Sequence, residues 1–306
     1  MLCVSNLSVD FARYGQATGA PAAIRSLDLN VEAGRILAVV GESGSGKSLL
    51  AHAILGLLPN NSRVGGSITF KGRVLDQKNV QILRGREIAL IPQSVSYLNP
   101  LRRVGAQVLR ATTLSGLGPK EAAKVRDAAF DRYGLGLKTQ SLYPHQISGG
   151  MSRRVLTATA TTGNASLVIA DEPTTGLDQA SALESLRHLR ELADSGTAVL
   201  LITHDIEASL NVADQVAVFL GGMVVEIAET ADFADISHLR HPYTRALWQA
   251  LPHNDFMDAP TRSYKTAASA QGCVYAADCT MAGALCGETI PAWRKMNGGR
   301  VRCHHA

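Results

Sequence analysis

The chain has 306 residues, room for one large domain or two modest ones at roughly 150 residues each. Hydrophobic residues make up 46% and charged residues 18%, which supplies a globular core and excludes wholesale disorder. Lys and Arg number 30 against 26 Asp and Glu, and the resulting +4 is too mild to indicate a nucleic-acid partner. No apolar run reaches the about 18 residues that a membrane span needs. Met1 to Arg13 lacks the basic-then-apolar order of a signal peptide, so the expected location is the cytoplasm.

Ile36 to Val40 reads as a buried strand, short and apolar between Gly34 and Gly41. Ser48 to Leu58 reads as the helix after it. From about Ser94 to Thr162 no strong strand is visible, and an all-helical insertion is expected. Within it, Pro119 opens a helix that runs to Arg132, with Gly134 as its stop. Two further buried strands, Leu167 to Ala170 and Ala198 to Ile202, flank a helix over Ser181 to Ala193. Its Leu183, Leu186, Leu189 and Leu192 are expected to form one apolar face. Strands alternating with helices predict an α/β fold with a mostly parallel sheet. Gln215 to Leu220 and Met223 to Ile227 flank Gly221-Gly222 as a two-residue hairpin. Beyond about Asp232 the pattern weakens, marking a smaller C-terminal extension.

Gly41-Glu42-Ser43-Gly44-Ser45-Gly46-Lys47-Ser48 fits the phosphate-binding loop G-x-x-x-x-G-K-[ST], placed after a buried strand and opening a helix. Its glycines let successive backbone N–H groups turn toward phosphate, and the helix N-terminus adds positive potential. Lys47 is suited to neutralise the β and γ phosphates, and the Ser48 hydroxyl to hold Mg²⁺. Leu167-Val168-Ile169-Ala170-Asp171-Glu172 supplies a carboxylate for Mg²⁺ in Asp171. Glu172 follows it as a group able to polarise an attacking water.

Ile147-Ser148-Gly149-Gly150-Met151 precedes Asp171 by about twenty residues. With it the chain resembles the ATP-binding cassette (ABC) family, whose signature reads Leu-Ser-Gly-Gly-Gln. The resemblance extends to Gln93, to Thr174-Thr175-Gly176-Leu177-Asp178 and to His204, in the family's order over about residues 1 to 230. It implies a P-loop ATPase domain over residues 1–232, with its helical subdomain at about 94–162 and an extension at 233–306. It also implies roles: Gln93 senses Mg²⁺ and the γ-phosphate, and Ser148, Gly149 and Gly150 contact ATP held by an opposing subunit. Asp178 crosses that interface, and His204 stabilises the transition state. An aromatic residue before the loop stacks on adenine, with Tyr14 preferred to Phe11. Gly41, Ser43, Gly44, Ser45 and Gly46 complete the nucleotide set. Met151 stands where the family has Gln, and Gly176 where it has Ala.

One cassette without a coiled-coil insertion, and Tyr97-Leu98-Asn99-Pro100-Leu101 after Gln93, resemble a transporter motor more than a soluble ABC ATPase. Tyr143-Pro144-His145 and His241-Pro242-Tyr243-Thr244-Arg245-Ala246-Leu247 resemble the peptide/nickel importer subfamily. That implies a second, different ATPase subunit, two permeases and an extracytoplasmic binding protein, on the cytoplasmic face of the inner membrane. The cargo expected is di- or oligopeptide, with nickel or a metal chelate as the alternative. Cys273, Cys279, Cys286 and Cys303 also look like this subfamily. Four thiolates in so short a window can hold an iron–sulfur cluster or a tetrahedral zinc, and the resemblance to peptide importers implies a [4Fe-4S] cluster, with zinc as the alternative.

Overall fold

The computed structural model describes residues 1–12, 22–42, 44–251, 254, 271–296 and 298–306. They divide into two units. One comprises Met1, Val31–Ile36 and Leu75–Thr203; the other comprises Leu2–Asn30, Leu37–Val74 and His204–Ala306.

The second unit holds two sheets. Strands β1 (Leu2–Phe11), β2 (Ile24–Val31), β4 (Ser62–Phe70) and β5 (Arg73–Val74) form a four-stranded sheet in the order β2-β1-β4-β5. Leu2, Val4, Leu7 and Val9 point inward from β1, but alternation slips at Ser5-Asn6. There the β1–β4 register shifts and Asn6 takes φ 49°. This bulge hides the period-2 signal from a sequence reading. The other sheet is built on β3 (Ile36–Val40), buried along its whole length. Next to β3 lies β9 (Gln215–Leu220), parallel to it with Val40 opposite Val218. β9 turns through Gly221-Gly222, both at positive φ, into antiparallel β10 (Met223–Glu229). That is the two-residue turn expected of the Gly-Gly pair. The chain's last segment rejoins this sheet. β11 (Arg294–Met296) and β12 (Gly299–Val301) form a hairpin, and β12 lies antiparallel to β10, with Glu226 opposite Val301.

In the first unit β6 (Ile88–Ile91), β7 (Leu167–Asp171) and β8 (Ala198–Thr203) are parallel neighbours. β7 and β8 are buried throughout. Three helices lie between Val95 and Thr161, with short 3₁₀ turns before the first and between the last two: α3 (Val104–Leu114), α4 (Pro119–Arg132) and α5 (Gly149–Thr161). Val104, Val108, Phe130 and Val155 form their shared core. Pro119 takes the first helical position of α4, and Gly134 leaves the helix at φ 59°. Helix α6 (Gln179–Asp194) buries Leu186 and Leu189, whereas Leu183 is 52% exposed and does not belong to the apolar face expected of it. The helix after the phosphate loop, α1, spans Lys47–Ile54, and so ends four residues before the expected Leu58.

Candidate nucleotide site

Between the end of β3 and the start of α1 the chain must reverse within six residues, and glycine makes this possible. Gly41, Gly44 and Gly46 have φ of 156°, 73° and 107°. A Cβ on Gly41 would stand 2.2 Å from the Phe219 carbonyl oxygen, and one on Gly46 2.9 Å from that of Ala23. Gly46 is the N-cap of α1 and provides no side-chain cap, which leaves a helix terminus suited to an anion. Lys47 is only 5% exposed. Its Nζ donates to the carbonyls of Gly41 at 2.7 Å and Glu42 at 2.8 Å, so the ammonium is held within the loop's own curve. Ser45 and Ser48 are half-buried and Gly44 is exposed. Ser43 and Tyr14 lie outside the described residues, while Phe11 is half-buried at the end of β1.

In the first unit, β7 ends in Asp171 and Glu172 follows it directly; they are 4% and 6% exposed. A carboxylate pair at the tip of a buried parallel strand is costly unless the groups have partners. The Glu172 carboxylate accepts from the Thr175 hydroxyl at 3.4 Å, and its peptide N–H separately donates to the Ile202 carbonyl at 2.8 Å. Gln93, two residues beyond β6, is exposed. Ser148 is the N-cap of α5 and accepts from the Met151 N–H at 3.2 Å. A Cβ on Gly149 or Gly150 would meet nothing within 4 Å, so internal packing does not explain these two glycines. An external group approaching the backbone would explain them. The two departures from the family pattern have local reasons. Met151 packs against the helical core, and Gly176 sits at φ 74°, where alanine would be strained.

Asp178 caps α6, accepting from the Ser181 hydroxyl at 2.7 Å and its N–H at 3.0 Å, and these bonds hold its carboxyl below the usual range. The side chain is otherwise exposed. In the second unit His204 is exposed beside Asp205, which caps α7 (Ile206–Leu210).

The four cysteines expected to form a cluster lie in the second unit. Cys286 and Cys303 are buried, and Cys273 and Cys279 half-buried. Burial pushes the Cys273 and Cys279 thiols up, with the neighbouring cysteines adding to the rise. Cys286 Sγ lies 3.5 Å from His305 Nε2, and Cys303 Sγ accepts from the His305 N–H at 3.4 Å. Yet among the described residues no group of three or more His, Cys, Asp or Glu side chains is arranged to hold a metal ion. Nothing in this arrangement supports the expected iron–sulfur cluster or zinc ion, and no function is assigned through either.

Two features of the second unit escape the motif reading. Glu226, fully buried on β10, accepts from the N–H groups of Arg240 at 2.8 Å and His241 at 2.9 Å. It thus receives the N-terminus of helix α8 (Pro242–Gln249), and burial raises its pKa. His241 caps that helix through Nδ1, and burial pulls its pKa down to about 3, so it stays neutral. Farther on, the Trp293 indole donates to Asp28 Oδ2 at 3.0 Å, while the guanidiniums of Arg300 and Arg302 stack over its ring at 4.5 and 4.8 Å. A lone acid in an apolar strand, Met223 to Ala228, is the signal that could have exposed the first.

A phosphate loop between strand and helix, with an acidic pair ending a buried parallel strand, defines a P-loop nucleotide hydrolase. The ABC transporter family model matches residues 24–175, and the model of the oligopeptide/dipeptide transporter C-terminal region matches residues 225–286. The oligopeptide transport ATP-binding protein OppD of Bacillus subtilis is 39% identical over 82% of this chain and 72% of its own length. That of Salmonella typhimurium is 34% identical over 99% of this chain and 92% of its own. A solved dimer of the ATP-binding cassette MJ0796, bound to ADP and Pi, superposes with a TM-score of 0.67 at 24% identity. It covers 75% of this chain and 99% of the cassette, and it bears on the fold alone. The chain therefore belongs to the ABC transporter family, as an ATP-hydrolysing subunit with the oligopeptide/dipeptide C-terminal region. Among the described residues no helix is long and apolar enough to cross a membrane.

Proposed function

We propose that this protein is the ATPase of an importer for di- or oligopeptides, working at the cytoplasmic face of the membrane. The observation that carries the ATPase reading is the Gly41–Ser48 loop, with Lys47 bonded to its carbonyls at the start of α1. The peptide reading is supported by the names of the relatives and by the match over residues 225–286. Nothing comparable supports nickel, and that alternative is set aside. Residues 1–232 then form the ATPase domain, and 233–306 an extension.

In this reading the loop N–H groups and Lys47 bind the β and γ phosphates, Lys47 exchanging its carbonyl partners for phosphate oxygens. The hydroxyl of Ser48, the carboxylate of Asp171 and the amide of Gln93 are hard oxygen donors whose chemistry fits Mg²⁺. When bound, that ion supplies charge neutralisation at the phosphates. Glu172 holds and polarises the attacking water, and His204 stabilises charge at the γ-phosphate. Ser148, Gly149 and Gly150 contact ATP bound by an opposing ATPase subunit, and Asp178 lies at that interface. Tyr14 stacks on adenine. ATP binding closes the pair of subunits and hydrolysis reopens it, and two permeases and an external binding protein convert the cycle into uptake.

Glu172→Gln should retain ATP binding and lose steady-state turnover, whereas Lys47→Ala should weaken nucleotide binding itself. Cells lacking the gene should lose uptake of labelled dipeptide and keep uptake of labelled nickel. Intact dipeptide uptake in such cells would reject the cargo assignment.

A further inference from the structure

Glu172 has φ 51°, in the left-handed region that a residue other than glycine enters at a cost of order 1–3 kcal/mol. Such a conformation persists only where its surroundings hold it. The N–H is tied to Ile202, and the carbonyl accepts from the Thr175 N–H at 3.3 Å while the carboxylate accepts from the Thr175 hydroxyl. These holds come from the adjacent strand and the following turn. A further one comes from another element: Arg153 Nη1 donates to the Glu172 carbonyl at 3.3 Å.

Arg153 lies on α5, one turn beyond Gly149, in the helix whose start is Ser148-Gly149-Gly150. It is half-buried; desolvation lowers its pKa, and the nearby Glu172 charge opposes that. The adjacent Arg154 turns elsewhere, its Nη1 donating to the carbonyls of Tyr133 at 3.3 Å and Gly134 at 3.5 Å. Successive guanidiniums thus hold α5 to two places, the end of α4 and the peptide of Glu172.

We infer that Arg153 is a positioning residue for ATP hydrolysis, fixing the Glu172 backbone from the signature helix. The inference rests on the proposed role of Glu172. Without Arg153 the strained peptide relaxes and its carboxylate swings away from the water. A displacement of about 1 Å costs on the order of a hundredfold in rate. The same link makes the aim of Glu172 depend on where α5 sits, and so on whether its exposed first turn is engaged.

The test uses the full chain co-purified with its membrane subunits. Steady-state kcat and KM for ATP, affinity for a fluorescent ATP analogue and melting temperature are measured for Arg153→Ala, Arg153→Lys, Arg154→Ala and Glu172→Gln. Arg153→Ala should lower kcat by about 10- to 100-fold, with KM and analogue affinity within about twofold of the parent and Tm kept. Arg153→Lys, which keeps a charged donor, should recover much of the loss, and Arg154→Ala should act mainly on Tm. Parental kcat in Arg153→Ala would overturn the inference. So would a loss matched by weaker nucleotide binding and a lower Tm. Parental turnover in Glu172→Gln would instead overturn the role of Glu172, so the two failures are distinguishable.

Discussion

Asp28 joins β2 to the chain's last segment, and replacing it with asparagine tests that junction with little change in volume. Its Oδ1 accepts from the Asn6 N–H at 2.8 Å, and its Oδ2 accepts from the Trp293 indole at 3.0 Å and from Arg302 Nη2. Burial works against the charged form, but these three donors and the Arg302 charge outweigh it and hold the carboxyl below its usual range. An amide offers one acceptor atom, so Asp28→Asn turns an NH₂ group toward at least one donor whichever way it is flipped. Hydrogen bonds to a charged group are each worth about 1.5–3 kcal/mol. The Asp28 side chain is 24% exposed, and solvent screening trims that, giving an expected loss of about 2–4 kcal/mol. At about 2 °C per kcal/mol for a chain of this size, Tm should fall by about 4–8 °C. The pH dependence follows from the sign of the shift. A carboxyl with a depressed folded-state pKa stabilises above its unfolded value of about 3.9, and that stabilisation disappears as pH falls through the folded value. Urea midpoints of the two proteins should therefore differ at pH 7 and converge below about pH 4. Equal stability at pH 7, or a gap undiminished at pH 3, would refute the reasoning.

The glycines of the two motifs should respond in opposite ways. Gly41→Ala places a Cβ 2.2 Å from the Phe219 carbonyl and should lower Tm and ATP affinity together. Gly150→Ala meets nothing within 4 Å and lies in a helix, so it should leave Tm equal or higher while reducing ATPase activity of the assembled transporter. Glu226→Ala strips two backbone N–H groups of their acceptor and should cost about 2–5 kcal/mol in urea denaturation. With their pKa raised, Cys273 and Cys279 should alkylate slowly at pH 7 and faster as pH rises past 9, read by mass spectrometry under reducing conditions.

Where local chemistry dictates structure, the sequence was readable. β3, β7 and β8 are short apolar runs buried on every residue, and α4 starts and stops at Pro119 and Gly134. The motif residues of the loop and of the acidic strand end were legible because their spacing is itself the chemistry. The four-stranded sheet was missed because a bulge at Asn6 interrupts alternation in β1. β11 and β12 were missed because three-residue strands carry no period. Leu183 was misplaced because a run of leucines at every third position drifts around a helix of 3.6 residues per turn. The bond from Arg153 to Glu172 spans 19 residues between two elements, and no periodicity records such a link.

The return of β12 to β10 sets an order of events during synthesis. One edge of β10 is covered by residues 300 and 301, synthesised about seventy residues after β10 itself. Until then the nascent chain presents an apolar strand with an open hydrogen-bonding edge, the kind of surface that pairs with strangers. Premature termination after β10 and before residue 299 would leave that edge bare, with the strands of the β1–β4 sheet already made. Such truncated chains should be recovered mainly as aggregates or as chaperone clients.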